Sequence, residues 1–232
     1  MKFCIIDSCN SPFVGRYVRA FQAVGMEPAL VLLDNRPRSL KNLGRFAERT
    51  RWQVPVVPLR QLETEIIFFD HFDECEAIIH ERKITCIFNS GINRLFPEAL
   101  IRKLPNGLVG VHPGKFPAFR GSSCVEWALY HDKPIEISTH FLARELDGGE
   151  PILSEPVRIT KGMDYADVRT AVYEAQFELA ARTIKMIEER KIGPADFHGS
   201  NEGTVYPAIA DEDLAIAVER LISCKYSHFS DR

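Results

Sequence analysis

Residues 1–34 read MKFCIIDSCNSPFVGRYVRAFQAVGMEPALVLLD, and the order of signals in this stretch decides the fold. Phe3 to Ile6 is an unbroken apolar run of strand length, as expected for a strand buried on both faces. Val14, Val18, Phe21 and Val24 then recur at helical spacing, and Gly25 is placed to stop that helix. Ala29 to Leu33 is a second apolar run. Outward from there the alternation continues. Leu40, Leu43 and Phe46 predict a helix, and Val54 to Val57 a short third strand. Phe72, Cys75, Ile78 and Ile79 mark one face of a helix ending near Arg82. Ile84 to Phe88 is a fourth strand, and Leu108 to Val111 a fifth, entered by an Asn106-Gly107 turn. Strands alternating with helices predict an α/β fold around a mostly parallel sheet.

Beyond residue 134 the pattern changes. Ile135 to Leu142 and Ile152 to Ile159 are extended with no helical pattern between them, which predicts an antiparallel addition to the sheet. Tyr165 to Arg190 reads as a long helix with Val168, Val172, Ala175, Leu179 and Met186 on its apolar stripe, ended by Gly193-Pro194. Gly203 to Tyr206 is a short extended piece, and Asp211, as N-cap, opens a last helix to Cys224. The expected organisation is a domain over residues 1–192 and a short extension over 193–232, too small for a core of its own. Leu214, Val218 and Leu221 on the last helix could pack on a second copy as easily as on the same chain, which leaves a homodimer open.

The 232 residues are 45% hydrophobic and 26% charged, with 29 basic and 32 acidic side chains and a formal charge of -3. Such a chain has no global field to hold a nucleic-acid backbone. Its longest apolar runs are too short to cross a bilayer. An acid follows the first few apolar residues, so the start reads as a strand and not as a signal peptide. Cys4, Cys9, Cys75, Cys86, Cys124 and Cys224 form no Cys-x-x-Cys pair, so reduced, mostly buried thiols in a cytoplasmic setting are expected. Arg36, Arg38, Lys41, Arg45, Arg49 and Arg51 cluster with one acid, Glu48. A site for an anionic substrate and the solvated face of a surface helix both fit this run, and the solvated face is the expectation. The acidic stretch from Glu63 to Glu81 reads the same way.

Ligands of open α/β sheets sit outside the carboxyl ends of the strands. Three polar loops fall there. His112 follows the fifth strand in Val111-His112-Pro113-Gly114. Ser90-Gly91-Ile92-Asn93-Arg94 follows the fourth, and Glu145-Leu146-Asp147-Gly148-Gly149 separates the two late extended segments. Singly, a histidine at a strand end is more often a hydrogen-bonded structural group, and Asp-Gly is ordinary hairpin chemistry. Together the three loops are more informative.

Their order and spacing resemble the folate-dependent formyltransferases. Val111 to Gly121 resembles the His-Pro-Ser-x-x-Pro-x-x-x-Gly motif of that family, His140 to Gly149 its aspartate loop, and Ser90 to Leu95 the loop lining its folate pocket. The resemblance implies a Rossmann-like fold and transfer of a formyl group from 10-formyltetrahydrofolate to a small-molecule amine, with no metal. It implies that His112 is the catalytic histidine, stabilising the oxyanion that develops on the formyl oxygen. Asp147 is implied as the catalytic aspartate, orienting His112, favouring its charged form and helping to move protons. His140 is implied near that aspartate. Gly91, Ile92, Asn93, Arg94 and Leu95, with Ala143, Arg144, Glu145 and Leu146, are implied to hold the pterin through backbone groups.

One position departs from the pattern. The family has asparagine two residues before its histidine, where this chain has Gly110. Losing an oxyanion donor costs ~10² to 10³ in rate. Asn89, Asn93, Ser122, Ser123 or the backbone amide of Gly114 could replace it. Alternatively, the space could accept another acyl donor or a bulkier acceptor, or transfer could be lost and binding kept. For the acceptor, the near-neutral charge and short tail argue against tRNA. Asp7 to Pro12 lacks the glycine-rich phosphate loop of glycinamide ribonucleotide formyltransferases. The tail Gly203 to Pro207, with Trp127 and Tyr130, resembles the amino-sugar N-formyltransferases, so a nucleotide-linked amino sugar is expected. A glycinamide ribonucleotide formyltransferase-like enzyme remains as an alternative, and a formyl-folate hydrolase and a noncatalytic folate or nucleotide sensor remain as other classes.

Overall fold

The apolar runs become the centre of a seven-stranded sheet in the computed structural model, which describes residues 1–92, 94–142, 151–196 and 203–231. The strands are β1 (Phe3–Ser8), β2 (Leu30–Asp34), β3 (Ile66–Phe69), β4 (Cys86–Asn89), β5 (Leu108–His112), β7 (Glu136–Phe141) and β8 (Pro151–Pro156), in the order β3-β2-β1-β4-β5-β7-β8. The first five are parallel. β7 runs antiparallel to β5, and β8 antiparallel to β7, as the extended segments predict. A small parallel pair joins β6 (Phe119–Gly121) to β9 (Thr204–Tyr206).

Helices cover both faces. On one face, α1 (Val14–Ala23), α2 (Leu40–Thr50) and α6 (Tyr165–Arg190) bury Val14, Phe21, Phe46, Phe177 and Ile184 against Ile5, Val31 and Phe88. On the other, α3 (Phe72–Glu81) and α4 (Glu98–Arg102) bury Cys75, Ile79 and Leu100 against Ile6, Leu32 and Ile87. α5 (Cys124–Tyr130) packs with α7 (Asp211–Ile222), and Ala217 and Leu221 share a third cluster with Val125 and Leu129. Part of the apolar stripe on the last helix is therefore used within the chain. Among the described residues no helix is long and apolar enough to cross a membrane.

Several elements differ from the sequence reading, each for a physical reason. Val54 to Val57 is not a strand. Pro55 and Pro58 remove donors that a ladder needs, and the segment instead crosses α1. A Cβ on Gly15 would lie 2.2 Å from the Val57 carbonyl oxygen, so only glycine permits that crossing. The third strand is Ile66–Phe69, an edge strand hidden inside the acidic stretch, with Phe68 exposed. α6 has the predicted limits and is held at its start by a capping box between Asp164 and Asp167. It ends before Gly193, with Lys191 left-handed. Asp211 lies inside the first turn of α7, where Ala210 is the cap; with Glu212 and Asp213 it puts negative charge at the positive end of the helix. The helix α5 and the strand β6 were not predicted.

Phe88 on β4 is fully buried, its ring 4.8 Å from Tyr17 and 5.1 Å from Phe21. Phe88→Ala should cost about 3–5 kcal/mol, read as a lower denaturant midpoint. A loss below about 1 kcal/mol would mean the ring does not fill the core.

Candidate active site

β1 lies between β2 and β4, so the chain reverses its direction of travel across the sheet there, and a crevice opens outside the strand ends. Asp7, fully buried at the end of β1, organises the crevice. Its Oδ1 accepts from the Ser8 N–H at 2.7 Å and from Arg38 Nη2 at 2.7 Å. Its Oδ2 accepts from the hydroxyls of Ser11 at 2.7 Å and Ser90 at 2.5 Å. One carboxylate thus ties together the loops after β1, β2 and β4.

A cleft of about 250 Å³ opens beside β4 and β5. His112, at the end of β5, lines it and is mostly buried. Its ring stacks on Phe116 with centroids 4.7 Å apart. Its Nε2 lies 3.1 Å from the Phe119 carbonyl oxygen and 3.3 Å from Cys124 Sγ. A carbonyl only accepts, so Nε2 carries a proton and donates it there. The strand β6 and the helix α5 therefore fix the ring from behind.

His140, opposite Gly110 in the β5–β7 ladder, lines the same cleft. Burial, and then the neighbouring His112, push its pKa down to about 3, so it is a neutral imidazole at physiological pH. Gly110 stands between Asn89 and His140 in register. A Cβ there would lie 2.5 Å from Leu142 Cδ1, so leucine fills the place a side chain would take. Asn89 at the end of β4 accepts with Oδ1 from the Gly91 N–H at 3.0 Å and the Ile92 N–H at 2.8 Å. That pair fixes the amide, and Asn89 lines the cleft.

The other wall comes from α6. Arg169, Tyr173 and Gln176 face the cleft. Arg169 lies 3.4 Å and Arg49 3.6 Å from the buried Glu126 carboxylate, which also accepts from the Tyr165 hydroxyl. Burial alone would raise the Glu126 carboxyl, but these partners hold it below the usual carboxylate range.

Of the other candidates, Gly91 lines the cleft. Ile92 is packed in the α3–α4 core, Arg94 pairs with buried Asp34 at 2.7 Å, and Leu95 is exposed. Asn93, Ala143, Arg144, Glu145, Leu146 and Asp147 lie outside the described residues. Ser122 and Ser123 line a neighbouring cleft. Among the described residues no group of His, Cys, Asp and Glu could hold a metal ion. Sequence reasoning missed Cys124 as a neighbour of His112 and Glu126 as the centre of an ion network; a glutamate among apolar residues in Cys124-Val125-Glu126-Trp127 was the available signal. The basic run is also not wholly a solvated face, because Arg38 and Arg49 turn inward to the buried carboxylates of Asp7 and Glu126.

The Formyl transferase family model matches residues 47–184, more than half of the chain, and the chain belongs to that family. A methionyl-tRNA formyltransferase of Desulforamulus reducens is 25% identical over 118 residues, which are 50% of this chain and 37% of that protein. The chain thus spans well under half of that relative. The crystal structure of phosphoribosylglycinamide formyltransferase from Anaplasma phagocytophilum superposes with a TM-score of 0.62 at 14% identity, covering 90% of this chain and 99% of that one. A sugar N-formyltransferase from Shewanella sp. FDAARGOS_354 gives 0.60 at 17% identity, covering 95% and 88%. At these identities the two share the fold.

An unfolded histidine titrates at ~6.5, whereas buried His140 titrates at about 3. The unfolded chain therefore takes up a proton that the native chain refuses. Stability should fall as pH drops below ~6.5, by up to about 1.4 kcal/mol per pH unit from this group. His140→Gln should remove that share of the slope in denaturation midpoints between pH 7 and 5; identical slopes would contradict the neutral assignment. Gly110→Asn should cost about 1–3 kcal/mol by overpacking, and adding Leu142→Ala should recover part of it. A Gly110→Asn protein as stable as the parent would show that Leu142 does not hold that space.

Proposed function

We propose that the protein is an N-formyltransferase that moves a formyl group from 10-formyltetrahydrofolate to a primary amine on a small molecule, an amino sugar linked to a nucleotide. The observation that carries the reading is His112, held at the end of β5 in the cleft beside β4 and β5, in a chain that belongs to the formyl transferase family. The cleft is lined by Tyr17, Val111 and Leu142 together with the polar side chains of Asn89, Ser90, His112, His140, Arg169 and Gln176. That composition fits a reacting carbonyl and the polar amine that attacks it. When bound, the folate supplies the formyl carbon.

The roles of the side chains follow from what each can donate. The His112 ring, with Nε2 3.1 Å from the Phe119 carbonyl oxygen, donates to the formyl oxygen in its protonated form. Asn89, adjacent to Gly110 in the ladder, provides the second donor through Nδ2, because Oδ1 is held by Gly91 and Ile92. The oxyanion donor is thus displaced from β5 to β4. Asp147 holds the charge of His112 and passes the amine proton towards the leaving nitrogen. The 91–95 and 143–147 loops enclose the pterin. Residues 1–192 form the catalytic domain, and 193–232 extend it.

The amino-sugar acceptor is supported by the tail. Tyr206 stacks between Phe119, at 5.0 Å, and Trp127, at 5.5 Å, and Trp127 Nε1 donates to the Pro207 carbonyl at 2.9 Å. The Shewanella sugar N-formyltransferase superposes on 95% of this chain.

Tetrahydrofolate release should depend on an added amine, with nucleotide-linked amino sugars the best of a panel. His112→Ala and Asp147→Ala should each lower turnover at least ~10²-fold. Asn89→Asp, which keeps the acceptor for Gly91 and Ile92 but loses the donor, should lower it ~10² to 10³-fold. Consumption of formyl-folate without an amine would make the protein a hydrolase, and folate binding without turnover would make it a sensor; either overturns the proposal.

A further inference from the structure

Cys124 is buried and stands outside the described lining of the His112 cleft, yet it touches the ring. Its Sγ lies 3.3 Å from His112 Nε2, and the Phe119 carbonyl oxygen lies 3.1 Å from the same nitrogen. Nε2 carries the proton that goes to that carbonyl, so sulfur meets it as an acceptor. The thiol hydrogen has acceptors of its own in the carbonyls of Gly121, at 3.7 Å, and Ser122, at 3.9 Å. A sulfur lone pair can therefore turn to Nε2. Gly114 makes the meeting possible: a Cβ there would lie 2.6 Å from the Phe119 oxygen, 2.9 Å from Nε2 and 3.0 Å from Cys124 Cβ. The loop that carries the thiol is tied down by the tail. Gly121 pairs with Tyr206 in the β6–β9 ladder, the Ser122 N–H donates to the Tyr206 carbonyl at 2.9 Å, and the Ile209 N–H donates to the Ser123 hydroxyl at 3.3 Å.

We propose that Cys124 is a positioning residue for His112: its sulfur and the Phe119 carbonyl share the Nε2 proton, hold the ring at one angle and favour its protonated form. The role rests on the formyl-transfer reading, in which the protonated ring is the donor. A hydrogen bond from a charged ring is roughly twice as strong as one from a neutral ring. Two acceptors on Nε2 therefore stabilise the imidazolium more than the imidazole. The other titratable or charged side chains that line the cleft with His112 are His140 on β7 and Arg169 and Tyr173 on α6. His140 is neutral, and Arg169 is a cation paired with Glu126. Neither favours a charged His112, whereas the acceptors on Nε2 do.

The test follows the His112 ring by nuclear magnetic resonance titration of the full chain, in the parent, Cys124→Ala and Cys124→Ser, with thermal melts to check folding. Cys124→Val, of similar volume, gives the same reading if the alanine variant does not fold. The ring pKa should fall by about 0.5 to 1 pH unit in Cys124→Ala, the size of one lost hydrogen bond. It should fall less in Cys124→Ser, whose hydroxyl keeps an acceptor. In formyl transfer, kcat of Cys124→Ala should drop ~2- to 10-fold with KM little changed, and the pH limb of kcat should move with the ring. An unchanged or raised pKa in Cys124→Ala overturns the role. Equal falls in the alanine and serine variants overturn it too, because lost packing would then be the cause. So does a ring whose pKa shifts while the limb of kcat stays put. Formyl transfer fails separately, if the parent releases no tetrahydrofolate with any amine, and the ring titration does not depend on that result.

Discussion

The buried carboxylate of Asp7 is the constraint on which the crevice depends. A charge taken wholly out of water costs several kcal/mol unless it is paired and hydrogen-bonded. Asp7 meets that condition only when four groups from three loops converge on it: the Ser8 amide, the Ser11 and Ser90 hydroxyls, and the Arg38 guanidinium. The carboxylate therefore closes the ends of β1, β2 and β4 into one rigid rim. Asp34 repeats the device at the end of β2, where Arg94 and the Arg36 amide satisfy it. Removing either partner would strand a charge, so the rim is stable only as a set.

That rim leaves the groups around the His112 cleft little freedom. Asn89 follows from the same loop, with its amide fixed by two backbone donors. His112 is clamped from the other side by Phe116, Phe119 and Cys124. Gly110 sits between these residues, and Leu142 fills the space it leaves. In the proposed reaction, donors fixed before the substrate arrives need no reorganisation when charge develops. On the far wall, the ion network around Glu126 joins α5, α6 and α2, and so links the His112 cleft to the neighbouring cleft lined by Ser122 and Ser123.

The elements legible in the sequence were those whose periodicity agreed with their environment. β1, β2, β4, β5 and α6 are continuous apolar runs or a long helical stripe, and local pattern suffices for them. β3 was not legible because it is a half-exposed edge strand among glutamates, while the more apolar Val54 to Val57 is barred from a ladder by its prolines. α5 is a helix of seven residues, too short to show a period. His112 was visible because it follows a strand. The inward turn of Arg38 and Arg49 was not, because their partners Asp7 and Glu126 are distant in the chain, and charge spacing along one helix says nothing of buried acids brought to it by the fold.

The central claim is that the formyl carbonyl lies at the ends of β4 and β5, between His112 and Asn89. A crystal structure with a nonreactive 10-formyl folate analogue tests it directly. The account predicts the formyl oxygen within about 2.6–3.2 Å of both a His112 ring nitrogen and Asn89 Nδ2. A bound analogue whose carbonyl lies out of reach of His112, with the pterin in the neighbouring cleft lined by Ser122 and Ser123 or on another surface, would contradict it.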